Sequence, residues 1–258
     1  MIRWDRTKGR PEPIRFLNKI LEFENGEPLV DVRVACPSIK IIRPQVIPYV
    51  REQVAVMCEA AALSLPEGYF LGLVEGWRPI GRQQRIYDFV WKCAIEAFPH
   101  RDHAALRRTV CRWVAPTDQK APPGHCTGAA VDVWLVDENG EEIDVSSPFD
   151  RFKSAPTYSL ELSENATRNR MILVDAMLGA GFSNCRDEWW HYSYGDAGYA
   201  VRMGLKECSY GLIELDPELY AEQEALWIEA VKTRQSPFGP SSSGPSEEPL
   251  KSSPDPGE

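Results

Sequence analysis

The sequence predicts an α+β domain: a central antiparallel sheet flanked by helices. Three observations predict it. Strand-like and helix-like stretches are intermixed, without the regular β–α–β alternation of a parallel sheet. An Asp-Glu-Asn-Gly turn at 137–140 follows an apolar strand and reads as a hairpin, with Asn-Gly available for positive φ. No internal repeat is evident. A chain of 258 residues with 43% hydrophobic content can bury a core, and its ordered part is expected to be one domain of about 200 residues.

The elements follow in order. Residues 28–35 alternate apolar and polar side chains, which predicts a short strand. From 46 to 65 the spacing Val46, Val50, Val54, Met57, Ala61 predicts a helix, ended by Pro66-Glu67-Gly68. Residues 69–77 read as a buried strand running into Arg78-Pro79. A second helix is expected over about 80–97, with Ile86, Phe89, Val90, Cys93 and Phe98 inward, then a shorter basic helix near 103–113. Residues 129–136 read as a central strand. Residues 165–178 read as a helix closed by Gly179-Ala180-Gly181, and 188–194 as the last core strand. Residues 1–215 are thus expected to form the domain, and 216–234 a C-terminal helix with Leu219, Leu226, Ile228 and Val231 on one side. Residues 235–258, rich in Pro, Ser, Gly and Glu, are expected to be a disordered tail.

Charge narrows the function. With 38 acidic against 29 basic residues, the net charge is -9; such a chain is repelled by a phosphate backbone, and nucleic acid is not an expected partner. The N-terminus has no apolar core of a secretory signal and no stretch approaches a membrane span, so no membrane partner is expected either. Seven scattered cysteines, none spaced C-x-x-C, argue against a disulfide framework and a cysteine-rich zinc knuckle. Reduced thiols fit a cytoplasmic protein.

Chemistry concentrates in two motifs about sixty residues apart, Gly124-His125-Cys126-Thr127-Gly128-Ala129-Ala130-Val131-Asp132 and Asp187-Glu188-Trp189-Trp190-His191-Tyr192. They hold two of the four histidines, a carboxylate ligand in Asp132 and a spare carboxylate in Glu188. That is a parts list for a catalytic zinc site: three protein ligands, an open position and a nearby base. On a strand, Ala130, Asp132 and Trp134 share one face and Val131 and Val133 the other. Gly128 lets the backbone bend so that His125 swings back toward Asp132. A lone His is ordinarily a solvated or core-satisfied side chain, whereas an unpaired carboxylate in a Val-rich strand is costly and asks for a cation. Glu188 and His191 would face opposite sides of a regular strand, so both reach one metal only if the segment bends. Flanking aromatics, Trp190 among them, would wall the site and lower its dielectric. Arg78, at the end of an apolar strand whose exit Pro79 fixes, is a candidate for stabilising developing negative charge. Asp150 in Pro148-Phe149-Asp150 is equally readable as a plain loop residue. His100 and His103 sit at a charged helix start, where histidines are usually solvated.

These residues resemble the zinc D-alanyl-D-alanine dipeptidases, the branch of the metallopeptidases related to D,D-carboxypeptidases and the hedgehog amino-terminal domain. H-x-x-G-x-A-x-D matches 125–132, E-W-W-H-Y matches 188–192, G-[YW]-R-P matches 76–79 and F-D matches Phe149-Asp150; Asn169-Arg170 and Gly181-Phe182 also fall in place. The likeness spans roughly residues 25–200 and implies the hedgehog/D,D-peptidase-like fold. It implies one zinc per chain on His125, Asp132 and His191, with Glu188 as general base and acid and Arg78 stabilising the transition state. It also implies that Asp150 helps hold the substrate's ammonium. Two departures stand out. The family usually has Ser two residues before the first ligand, where this chain has Pro123, so backbone N–H groups around Gly124 or a nearby Arg must serve the substrate carboxylate. Segment 92–124 also aligns poorly with the family.

The expected activity is zinc-dependent hydrolysis of D-alanyl-D-alanine or a related D-dipeptide, by an enzyme whose partner is a small dipeptide and whose oligomeric state the sequence leaves open. One alternative is a carboxypeptidase or endopeptidase acting on peptidoglycan stems. Another is a non-catalytic zinc-binding interaction domain, against which Arg78 and Glu188 argue, since metal binding alone needs neither. A His125-Cys126 nucleophile reading lacks any G-x-S-x-G or G-D-S-G partner segment.

Overall fold

The computed structural model describes residues 8–145, 155–160 and 162–238. The chain opens with one helical turn, α1 (Ile14–Leu17), and strand β1 (Leu21–Glu22), then β2 (Leu29–Asp31), a second helical turn α2 (Val32–Ala35), β3 (Ile39–Ile41) and β4 (Tyr49–Arg51). Helix α3 (Glu52–Leu63), strand β5 (Phe70–Glu75) and helices α4 (Ile80–Ala97) and α5 (His103–Val110) follow. A 3-10 turn, Gly124–Thr127, leads into β6 (Ala130–Val136). Then come α6 (Glu164–Gly179), β7 (Ser183–Asn184), β8 (His191–Ser193), α7 (Ala197–Met203), β9 (Glu207–Cys208) and, after a 3-10 turn at Pro217–Leu219, α8 (Ala221–Lys232).

The main sheet has the order β3-β5-β6-β8-β7. Its β5–β6, β6–β8 and β7–β8 pairs are antiparallel, as expected, but edge strand β3 runs parallel to β5. A parallel neighbour needs a crossover of a dozen or more residues, and residues 42–69, which include α3, supply it. Leu71 and Leu73 of β5 and Val131, Val133 and Leu135 of β6 bury one face against Val54, Cys58 and Ala61 of α3 and Leu173 and Met177 of α6. Each such side chain contributes about 1.5–3 kcal/mol relative to exposure. The site occupies the other face.

Several expected elements are redrawn. The strand expected at 28–35 stops at Asp31, whose carboxylate accepts from Arg33 N and caps the turn α2. The helix expected from 46 starts only at Glu52, because Pro48 has no N–H to donate and residues 49–51 pair with β2 instead. The strand expected over 188–194 is strand only at 191–193; its first residues form a tight turn closed by His191 N donating to Glu188 O (3.3 Å). The 137–140 turn is present, with Gly140 at φ +84.

Beyond residue 215, α8 is anchored by Trp227, although Leu226 and Ile228 of the expected apolar stripe are 38% and 43% exposed. Arg82 and Arg85 stack over the Trp227 ring at 5.2 and 5.1 Å and both pair with Glu224. The tail expected to begin at 235 is described as far as Phe238, its one aromatic, which packs edge-on against Phe98 (5.4 Å); the remainder lies outside the described residues. No helix among the described residues is long and apolar enough to cross a membrane.

Trp227 is 8% exposed. Trp227→Ala is therefore expected to cost about 3 kcal/mol, at the lower end for a buried Trp, in a urea unfolding titration. A loss under about 0.5 kcal/mol, the level of an ordinary surface change, would mean that α8 is not part of the cooperative unit.

Candidate active site

Strand register assembles the site. Asp132 of β6 stands opposite His191 of β8 on one side and Glu75 of β5 on the other. Directly opposed residues share a face, so Glu75, Asp132 and His191 form a row across three strands. Glu75 joins that row through a register shift between Leu73 and Glu75. An unbroken ladder would have set Val74 against Asp132, and a bulge of this kind re-aims a side chain.

His125 enters from the 3-10 turn before β6. Gly128 closes that turn at φ +71, with its N–H donating to His125 O (3.2 Å); a left-handed residue here is readily a glycine. The fully buried Arg51 pins the turn, its Nε donating to Thr127 O (2.7 Å) and its backbone N to Gly128 O (2.9 Å). Gly124 is held by close approach: a Cβ there would sit 2.5 Å from Asp196 Oδ2. Arg78 N donates to His125 O (3.1 Å), and Gly76 O accepts from His125 Nδ1 (2.9 Å).

That last bond fixes the tautomer. With its proton on Nδ1, His125 presents a bare Nε2 lone pair to Asp132 Oδ1, 3.2 Å away, and His191 Nδ1 lies 3.0 Å from the same oxygen. A lone pair facing a carboxylate oxygen is repulsive unless a proton or a cation lies between them. The three donors all lie within 4.8 Å of one another, and the carbonyl behind His125 is the kind of outer support that orients metal-bound imidazoles. Two imidazoles and one carboxylate suit a first-row transition metal such as zinc. The cluster can hold a metal ion.

Arg78 is set on this row by Glu75 (3.3 Å) and by donating from Nη1 to Gln83 Oε1 (2.7 Å). Burial works against its charge; Glu75 and Asp132 more than offset that, so it stays cationic. Its buried Nε has no hydrogen-bond partner among the described residues. Glu188 sits in the turn that brings it to the His191 side, the bend that both residues needed. Its carboxylate makes no hydrogen bond or ion pair among the described residues. Burial first, then Asp132, raises its carboxyl well above the usual value.

Arg78, Gly124, His125, Asp132, Glu188 and His191 all line one cleft of about 600 Å³. Its other walls are the N-terminal segment 11–17 and parts of 108–119, within the stretch expected to depart from the family. Trp190, expected as a site wall, is instead half-buried against the core and edge-on to Trp189 (5.4 Å), away from the cleft lining. Asp150 lies outside the described residues. Sequence reasoning missed Glu75 and Gln83 as the supports of Arg78; the only signal was a Glu ending an apolar strand. His103, expected to be solvated, is exposed and lies against the Trp91 ring at 4.9 Å.

A triad that could hold a metal ion, with a carboxylate and an arginine lining the same cleft of an α+β fold, is the arrangement expected of a metal-dependent hydrolase. The chain belongs to the D-ala-D-ala dipeptidase family, peptidase M15, whose model matches residues 46–205. It is a metallopeptidase. A D-alanyl-D-alanine dipeptidase of Synechocystis is 26% identical over 211 residues, covering 68% of this chain and 85% of that protein. A D-alanyl-D-alanine dipeptidase of Escherichia coli is 36% identical over 69 residues, 26% of this chain and 36% of that one. Among solved structures, the vancomycin-resistance D,D-pentapeptidase VanY, in complex with Zn(II), aligns at TM-score 0.35 and 17% identity over 76% of this chain and 90% of that one. The D,D-dipeptidase VanXYg, in complex with a D-Ala-D-Ala phosphinate analogue, aligns at 0.37 and 18% over 73% and 67%. At those scores the superposition transfers no residue.

The raised Glu188 carboxyl has a measurable consequence in metal-free protein. A group that holds its proton more tightly folded than unfolded loses folding stability as pH rises above its unfolded value, about 4.3. Metal-free Glu188→Gln should therefore be more stable than metal-free wild type at pH 7, with the gap closing below about pH 4. Equal pH–stability profiles by thermal melting would show that Glu188 is not held in this environment.

Proposed function

We propose that this chain is a zinc dipeptidase hydrolysing D-alanyl-D-alanine or a related small D-dipeptide, with residues 1–215 as its catalytic domain. The observation that carries the reading is the His125–Asp132–His191 cluster with Glu188 and Arg78 in the same cleft, in a chain that belongs to the D-ala-D-ala dipeptidase family. The named activity of the Synechocystis and E. coli relatives supports the substrate. His125 Nε2, an Asp132 oxygen and His191 Nδ1 would hold one zinc per chain. All seven cysteines are free, which supports a reducing, cytoplasmic setting.

When bound, zinc supplies Lewis acidity, polarising a carbonyl and making a water nucleophilic near neutral pH. Glu188 takes the proton of the attacking water on its carboxylate and delivers it to the leaving amine. Its partnerless, partly buried position suits a group that must hold and release a proton. Arg78, kept cationic by Glu75 and aimed by Gln83, donates to the oxyanion that develops on the scissile carbonyl. Gln83 Nε2 donates to Ala115 O (2.7 Å), so the wall of the cleft and the arginine are set together. The substrate carboxylate would meet Pro123, which offers neither N–H nor hydroxyl, so N–H groups after it, at Gly124 and beyond, are the nearest backbone donors. Asp150 remains a candidate for the substrate's ammonium.

Zinc-loaded protein should release D-alanine from D-Ala-D-Ala in preference to hydrolysing L,L- or L,D-dipeptides. Glu188→Gln should retain about one zinc per chain by elemental analysis while kcat falls about 100- to 10,000-fold. Loss of the metal together with activity would make Glu188 a ligand instead of a proton carrier. Cleavage of D-Ala-D-Ala no faster than L-Ala-L-Ala would remove the D,D-dipeptidase assignment.

A further inference from the structure

A free dipeptide differs from the end of a longer peptide by one charge placed close to the reaction. Its ammonium and its scissile carbonyl belong to the same residue and are two bonds apart, N–Cα about 1.46 Å and Cα–C about 1.52 Å. A carboxylate that reads the ammonium must therefore stand beside the proton-transfer group, not at the far end of the cleft. Glu12 lines the same cleft as Glu188, His191 and Arg78.

Glu12 is also held ready. Its Oε2 pairs with Nη1 of Arg202, a guanidinium that is fully buried. Arg202 is itself fixed by donating from Nε to Ser183 Oγ (2.9 Å) and from Nη2 to Ser193 Oγ, two residues beyond His191. Ser193 in turn donates to Asp196 Oδ1 (2.7 Å). Arg202 thus faces two carboxylates, Glu12 and Asp196, and its single positive charge does not neutralise both. The second oxygen of Glu12, Oε1, has no partner among the described residues, and the side chain is 29% exposed on the cleft side of that pair. An oriented carboxylate with one oxygen pinned and one open toward the cleft is a receptor for a small cation. Glu12 lies outside the span 46–205 that the family match covers.

We propose that Glu12 is a substrate-binding residue, its Oε1 accepting a hydrogen bond from the free ammonium of the dipeptide; the identity of the ligand rests on the dipeptidase reading. The N-terminal segment then selects substrates with a free amine over N-blocked ones.

Glu12→Gln tests this, because the amide oxygen can still accept from Arg202 and keep the wall in place while the charge is lost. In zinc-loaded protein, KM for D-Ala-D-Ala should rise about 10- to 150-fold, the loss of one hydrogen bond between charged groups. kcat should stay within a few-fold, and any cleavage of N-acetyl-D-Ala-D-Ala should not change. The same comparison is made by calorimetric titration of both dipeptides onto zinc-loaded Glu188→Gln with and without Glu12→Gln. Only the affinity for the free dipeptide should fall. Unchanged KM and affinity for the free dipeptide would overturn the proposal, and so would an equal loss for the free and acetylated forms, the mark of a merely structural wall. If wild type cleaves neither dipeptide, the dipeptidase reading fails on its own, and the titration still decides Glu12: a selective loss supports it, and no binding or no selectivity overturns it.

Discussion

One carboxylate oxygen shared by two imidazoles is the constraint on which the rest of the structure depends. Asp132 Oδ1 lies 3.2 Å from His125 Nε2 and 3.0 Å from His191 Nδ1. Burying a carboxylate costs several kcal/mol unless it is paired. A cation between these donors would pair that charge, so the fold has to deliver two imidazoles, one seven residues before Asp132 and one 59 residues after it, to the same oxygen. Antiparallel pairing of β6 with β8 delivers His191 by register alone. Delivering His125 takes a 3-10 turn, a left-handed Gly128, and Arg51 and Gly76 gripping it from either side. The hydrophobic face of the same sheet fixes that register, because a one-residue slip would turn Val131, Val133 and Leu135 out of the core and Asp132 into it.

The chemical parts were legible in the sequence because they sit in short, dense motifs. Asp132 stands out in a Val-rich strand, and its face follows from period-two alternation. The α+β class followed from intermixed elements, and α4 and α6 from apolar spacing and caps such as Ser163, whose hydroxyl accepts from Ala166 N. What was not legible is what long-range pairing decides. The bulge at Val74 that brings Glu75 beside Asp132 exists only against β6, and nothing local in the strand marks it. The turn at 188–191 was required by the chemistry yet not derivable from the residues; two tryptophans there read as strand, but Trp189 is buried against Trp134 (4.7 Å) and Arg170 (5.1 Å) as the turn folds over. Trp190 went to the core for the same reason. The parallel placement of β3 follows from a crossover, which no strand's own sequence encodes.

Two segments give this cleft its individual shape. The stretch 108–119 carries Arg108, Arg112 and Trp113 into the lining, with Arg112 tied to Asp187 (3.3 Å), the residue before Glu188. The N-terminal stretch 11–17 forms another wall and is tied through Arg202 to the end of β8. Both walls are thereby fastened to the elements that carry Glu188 and His191, so the cleft walls and the His125–Asp132–His191 cluster share one framework. Such second contacts hold a site to the sub-ångström placement that proton transfer and oxyanion stabilisation require.

The central claim is that His125, Asp132 and His191 form one metal centre, and a crystal of zinc-loaded protein measured on both sides of the zinc absorption edge tests it most directly. The account predicts a single anomalous peak per chain, about 2.0–2.2 Å from His125 Nε2, an Asp132 oxygen and His191 Nδ1, with a position left open toward Glu188 and Arg78. A peak elsewhere, or none at this cluster, would contradict it.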